Sequence, residues 1–306
     1  MRIFLKEPEE FQRNSMKYAK TPYKLVLRFY GFRLFAVSLI WFLYDVSHHF
    51  PNRLESTRLT LLQFSAYSFS IYSSTILSNI FDQTNAPFST IFGWNTVINL
   101  FYIPGTMLGA PVSDLIGPRY TLALGVSLQA IVGFIMAGCY TRLAQPGMVG
   151  AFAVVYGIFQ SLGELGPGNN IGLIAAKTCA TGVRGQYYGI AAAVGKLGAF
   201  VGTLVFPYII AAGVDDETKS AQYPFWVSSS LCLLSAALVL FLIPNIGQDT
   251  ITVEDARFRM FLEENGYDTR QLGLRKGAVL ELEEVNAAAA PATATMGSEK
   301  GREQVA

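Results

Sequence analysis

Histidine is nearly absent from this 306-residue chain, and the two that occur, His48 and His49, are adjacent. That scarcity excludes histidine-based catalysis, and with only three cysteines in unpaired spacing it also excludes a zinc or other metal site and a disulfide framework. Cys139, Cys179 and Cys232 each lie in or beside an apolar run and read as small lipid-compatible residues. Charge is scarce too: 15% of residues are charged against 51% hydrophobic. A net charge of +1 offers no basic excess to hold nucleic acid, and nothing calls for a cofactor. Met1 to Lys24 has no central apolar block, so it is expected to be a cytosolic stretch rather than a signal peptide.

What the chain has is long apolar runs. Its mean hydropathy of +0.34 exceeds that of an ordinary soluble domain. Five continuous blocks run about Ile91 to Val112, Tyr120 to Tyr140, Gly147 to Ile174, Tyr187 to Ala212 and Phe225 to Ile243. Each is close to or above the roughly 20 residues that cross a bilayer. A further span comes in two pieces, because Leu34 to Tyr44 ends on Asp45, a polar segment 46–63 intervenes, and Phe64 to Phe81 is apolar again. Joining the pieces gives W-x-x-x-D-x-x-x-Y, with Trp41, Asp45 and Tyr67 on one helix face. Since a lipid-exposed segment must satisfy its own backbone, the fold class is an all-α membrane protein with six transmembrane helices, the first interrupted by an insertion.

The division expected is a cytosolic segment 1–33, a six-helix bundle 34–247, a soluble tail 248–285 and a disordered, low-complexity end 286–306. Thr252 to Asn265 reads as a short tail helix with Thr252 as N-cap and Gly266 as its stop. Lys and Arg collect on one side of such a bundle, including Arg28, Arg33, Arg119, Lys177 and Arg184, while Arg142 and Lys219 fall on the other. Both termini are therefore expected in the cytosol of a multi-pass protein, placed at the plasma membrane.

Three ionisable residues fall inside spans: Asp45, Glu164 and Lys196. At a helix centre each costs about 2.5–3.5 kcal/mol on insertion scales, so each marks function or a tolerated structural charge. Asp45 suits proton uptake, Lys196 suits an anion or a pair with Asp45, and Glu164 serves either function or helix orientation. Glu164 opens GELGPGNN, a run of breakers in mid-span that neighbouring groups must re-satisfy, with Asn169 and Asn170 as neutral donors. Gly109, Asp114, Gly117 and Arg119 in GAPVSDLIGPRY suggest a gate or clamp at a helix end, or an ordinary turn. Gly195, Gly198 and Gly202, with Ala191 and Ala199, read as a close-packing face.

GAPVSDLIGPRY resembles the loop signature G-x-x-x-D-x-x-G-R-[RK] of the major facilitator superfamily, with one extra residue before Asp114 and Pro118 in place of the first basic residue. The joined W-x-x-x-D-x-x-x-Y, GPGNN and GIAAAVGKLGAF resemble the fungal phosphate and glycerophosphodiester proton symporters. LKEPEEFQRNSMKYAKTPYKLVLRFYGFRLF, GELGPGNNIGLIAAK and FLEENGYDTRQLG look most like the glycerophosphoinositol permeases among them. The resemblance implies the second six-helix half of a twelve-helix carrier, with a phosphate-bearing solute and protons as partners, and the first half or a full-length carrier as a further one. It also implies that Trp41, Asp45, Tyr67, Asn169 and Lys196 line the substrate site, with Asp45 coupling protons and Asn170 an alternative to Asn169. Segment 46–63 is expected to be a retained intron: it keeps the reading frame, its removal restores the motif, and a genuine polar loop is the other reading. The function classes that remain are a proton-coupled carrier working by alternating access and a non-transporting membrane fragment. An enzyme would need a nucleophile and base that the spans lack.

Overall fold

The computed structural model describes residues 9–48, 87–213, 217–247 and 249–273. Tyr67, Phe64 to Phe81, most of segment 46–63 and the end 286–306 lie outside the described residues. Among the described residues every regular element is a helix. These are α1 (Glu9–Asn14), α2 (Tyr23–His48), α3 (Phe88–Leu100), α4 (Tyr102–Ile116), α5 (Pro118–Gly138) and α6 (Tyr140–Leu143). They continue as α7 (Val149–Gly163), a π turn (Glu164–Gly168), α8 (Asn169–Lys177), α9 (Arg184–Ala211), α10 (Glu217–Leu242) and α11 (Thr250–Glu264). Among the described residues four stretches are long and apolar enough to cross a membrane: Tyr23–Val46, Pro118–Gly138, Val149–Lys177 and Gln222–Leu242.

The first span differs from its expected form. α2 begins at Tyr23 rather than Leu34 and runs on through Val46 to His48, so its 26 residues span about 39 Å at 1.5 Å per residue. That exceeds a hydrocarbon core of about 30 Å without help from Phe64 to Phe81. Lys24, Arg28 and Arg33 do not stop it, because long basic side chains carry their charge away from the axis, and Arg33 finds a carboxylate on α11. The expected second span is two helices meeting at Phe101. Pro104 lacks the N–H that would bond the Leu100 carbonyl, which frees the ladder at this junction. Gly117, at φ +88°, makes the tight turn into α5, and Pro118 takes the first helical position, as expected for these residue types.

Proline also explains the π turn. Pro167 cannot donate to the Gly163 carbonyl, and the Tyr44 hydroxyl of α2 donates to that oxygen instead, at 3.4 Å. The Asn170 side-chain amide donates to the carbonyls of Gly166 at 2.9 Å and Leu165 at 3.3 Å. The freed backbone of the breaker run is thus re-satisfied by side chains.

Small residues set the close contacts. On α9, a methyl added at Gly195 would overlap the Trp41 ring, and one at Gly198 would overlap the Phe42 backbone. Gly125 of α5 meets Gly166 of the π turn backbone to backbone. Apolar side chains fill the remainder in two clusters, one including Tyr30, Val37, Ile40, Leu122, Ile174 and Val239, the other including Ile98, Phe152, Tyr156, Phe159 and Phe225. Because Gly198 faces backbone, which cannot rotate away, Gly198→Leu is expected to lower stability by about 1–3 kcal/mol. A thermal melt of the purified protein checks this, and an unchanged midpoint would refute close α2–α9 packing.

At one end of the bundle α11 docks on α2 and on the α8–α9 connection. Glu254 and Asp255 of α11 are 4% and 6% exposed. Arg33 Nη1 donates to Glu254 Oε2 at 2.8 Å. Asp255 accepts from Asn14 Nδ2 at 3.0 Å, from the Thr181 backbone N–H at 2.6 Å and from the Thr181 hydroxyl at 2.7 Å. The helix begins at Thr250, earlier than expected, and the Thr250 hydroxyl bonds to the backbone of Gly247. It stops as expected: Gly266 at φ +75° lets Tyr267 N–H reach the Leu262 carbonyl at 2.9 Å. In the α8–α9 connection, burial pushes the Cys179 thiol up to about 12, so it stays protonated and serves as a small core residue.

Candidate functional site

α2 and α9 bring three of the candidate residues together. Lys196 Nζ lies 3.5 Å from Asp45 Oδ2, with the Asp45 side chain 7% exposed and that of Lys196 49% exposed. Trp41 stands one helical turn before Asp45 and is seated on Gly195, the residue preceding Lys196. Its ring meets Tyr188 edge-on, with centroids 5.6 Å apart and an interplanar angle of 80°. A buried carboxylate, a half-open ammonium and an aromatic wall therefore share one patch. Ionised Asp45 neutralises Lys196, whereas protonated Asp45 leaves one positive charge facing the open side.

The other candidates sit elsewhere. Asn169 Nδ2 donates to the Thr106 carbonyl of α4 at 3.0 Å and lies over Gly109, where a methyl would overlap it. Asn170 is fully buried; its Oδ1 accepts from the Ser113 hydroxyl at 2.6 Å while its amide holds the π turn. That commitment makes Asn170 a structural peg and leaves Asn169 the more available of the two. Gly109 lies within α4, and with Gly105 it forms a small-residue pair against α7 and α8. Arg119 does not pair with Asp114, which is exposed; it donates to Asn245 Oδ1 at 2.9 Å and to the Leu240 carbonyl beyond the end of α5. Arg119 thus ties α5 to the C-terminal end of α10, where carbonyls are left over by the helix.

Tyr188 and Gly195 were not anticipated as parts of this patch. They are seven residues apart, two turns of one helix, so periodicity alone puts them on the face of α9 that Lys196 borders. A second polar grouping surrounds Glu164: Tyr44 and Tyr102 lie within its electrostatic reach, and Gln160 is fully buried one turn before it. A cavity of about 320 Å³ near α11 includes Arg33, Asn245, Thr250, Glu254 and Arg257. Both of its arginines contact Glu254, and Asp249 also lines it. Among the described residues no group of three or more His, Cys, Asp or Glu is arranged to hold a metal ion.

Residues 56–254 match the family described as sugar (and other) transporter. The chain is 46% identical over 287 residues to the glycerophosphocholine permease GIT4 of Candida albicans, covering 93% of this chain and 50% of the relative. It is 47% identical to the glycerophosphodiester transporter GIT2 and 46% identical to the major glycerophosphoinositol permease GIT3 of the same organism, covering 89% of this chain and 48% of each relative. The chain therefore spans about half the length of the relatives it matches. No solved structure matches it.

Proposed function

The chain belongs to the sugar (and other) transporter family of the major facilitator superfamily, and from that premise we propose that it holds a glycerophosphodiester and carries it across the membrane together with protons. The observation that supports this most is the 3.5 Å pair between Lys196 and Asp45 beside Trp41. A phosphodiester bears one negative charge and needs a cation that is not already neutralised. Lys196 becomes that cation when Asp45 takes a proton, so anion and proton favour each other's binding, as linkage requires. Trp41 and Tyr188 provide apolar and aromatic surface for the organic part of the substrate. Tyr67 and Asn169 complete the proposed lining, while Gly117 and Arg119 hold the end of the moving bundle. The protein is proposed to work by alternating access in the plasma membrane, with both termini cytosolic.

Binding of labelled glycerophosphocholine to the purified chain in lipid nanodiscs tests the reading. Affinity is expected to rise as pH falls, with unlabelled glycerophosphoinositol competing and glucose not competing. Uptake of the same label by cells expressing the chain is expected to follow the same pH order. Absence of both binding and uptake, or equal competition by glucose, would overturn the proposal.

A further inference from the structure

Glu164 opens the π turn inside Val149–Lys177, one of the stretches long and apolar enough to cross a membrane. A carboxylate at such depth is usually neutralised by a cation or used. Among the described residues no cation lies within ion-pair distance of Glu164; Lys196 is on Asp45, and Arg33 is on Glu254. Its carboxylate folds back over Gly168, where an added methyl would overlap Oε2. Among the described residues, the groups placed near it are neutral or acidic. α2 contributes Tyr44, whose further neighbours are Asp45 and Cys232 of α10; α4 contributes Tyr102. On α7, Gln160 is buried one helical turn before Glu164.

We propose that Glu164, seated against Gly168 in the π turn, is a second proton-exchanging carboxylate of this carrier, separate from the Asp45–Lys196 pair. The inference rests on the proton-coupled function proposed above. Ionised, Glu164 can only accept hydrogen bonds; protonated, it gains one donor. The proton is exchanged with water, with no other bond made or broken. A π turn is a fitting seat, since its hydrogen-bond register is already displaced from that of the helices on either side and such turns recur at functional sites.

Infrared difference spectra of the purified chain in lipid vesicles, recorded across a pH titration, test this without requiring transport. In an Asp45→Asn background, a titrating carboxylic C=O band is expected to remain, to be lost on adding Glu164→Gln and to return shifted with Glu164→Asp. Gly168→Ala, which displaces the carboxyl from its seat, is expected to move the same band. A spectrum unchanged by Glu164→Gln or by Gly168→Ala would overturn the proposal. Loss of glycerophosphocholine binding at every pH with the Glu164 band intact would instead refute the carrier function while leaving this carboxyl assigned.

Discussion

Lys196→Gln is expected to weaken glycerophosphocholine binding by about ten-fold or more across the pH range. The ammonium is the cation of the Trp41–Asp45 patch, and its side chain is 49% exposed, open enough to reach a ligand. Truncating one member of a close charge pair usually costs about 2–5 kcal/mol, and the half-exposed position of Lys196 brings the expectation to the lower end. Glutamine keeps length and hydrogen-bonding capacity, so the loss reports charge rather than shape. Asp45→Asn is the complementary variant. It leaves Lys196 permanently unneutralised, so binding should stay strong and lose its pH dependence. Equilibrium binding of the labelled diester from mildly acid to mildly alkaline pH separates the two variants. Undiminished binding by Lys196→Gln would remove this lysine from the substrate site.

That pair was legible before the fold because both residues are charges in apolar runs, where ionisable side chains are rare. Their meeting also depended on a readable feature, the glycines of α9 that let α2 approach. The helix boundaries were less legible. Within α2, Arg33 is held by Glu254, a partner more than 200 positions away in the chain, and no local pattern announces such a contact. The break at Phe101 hides within an unbroken apolar run, its cause being a single proline. For the breaker run, the sequence indicated that carbonyls would be freed but not which groups would take them. Tyr44 and Asn170 do so, which turns one of the two asparagine candidates into scaffold. The environment of Glu164 was beyond reach for the same reason, since Tyr44, Tyr102 and Gln160 come from three different helices.

Asp255→Ala is expected to release α11 from the bundle. The Asp255 carboxylate is 6% exposed and takes three hydrogen bonds, two from Thr181 and one from Asn14. Hydrogen bonds to a charged group are worth about 1.5–3 kcal/mol each, but these share one carboxylate and do not add fully. A net loss of about 3 kcal/mol is expected, and the undocked population should rise roughly a hundred-fold. Removing the carboxylate also strands the buried Thr181 N–H, which alanine cannot satisfy. Asp255→Asn retains one acceptor oxygen, so its effect should be smaller. Amide hydrogen exchange is the direct measurement: protection in α11 should fall in Asp255→Ala while α5, which is held by its own glycine contact with the π turn, keeps its protection. The neighbouring Glu254–Arg33 bond tests whether the dock opens as one unit. If α11 exchanges through a single opening, Arg33→Gln should speed the same amides, and if the two carboxylates act separately only the first turn should respond. Unchanged protection in Asp255→Ala would mean that aromatic packing of Phe258 against Phe29 and Tyr30 holds the helix by itself.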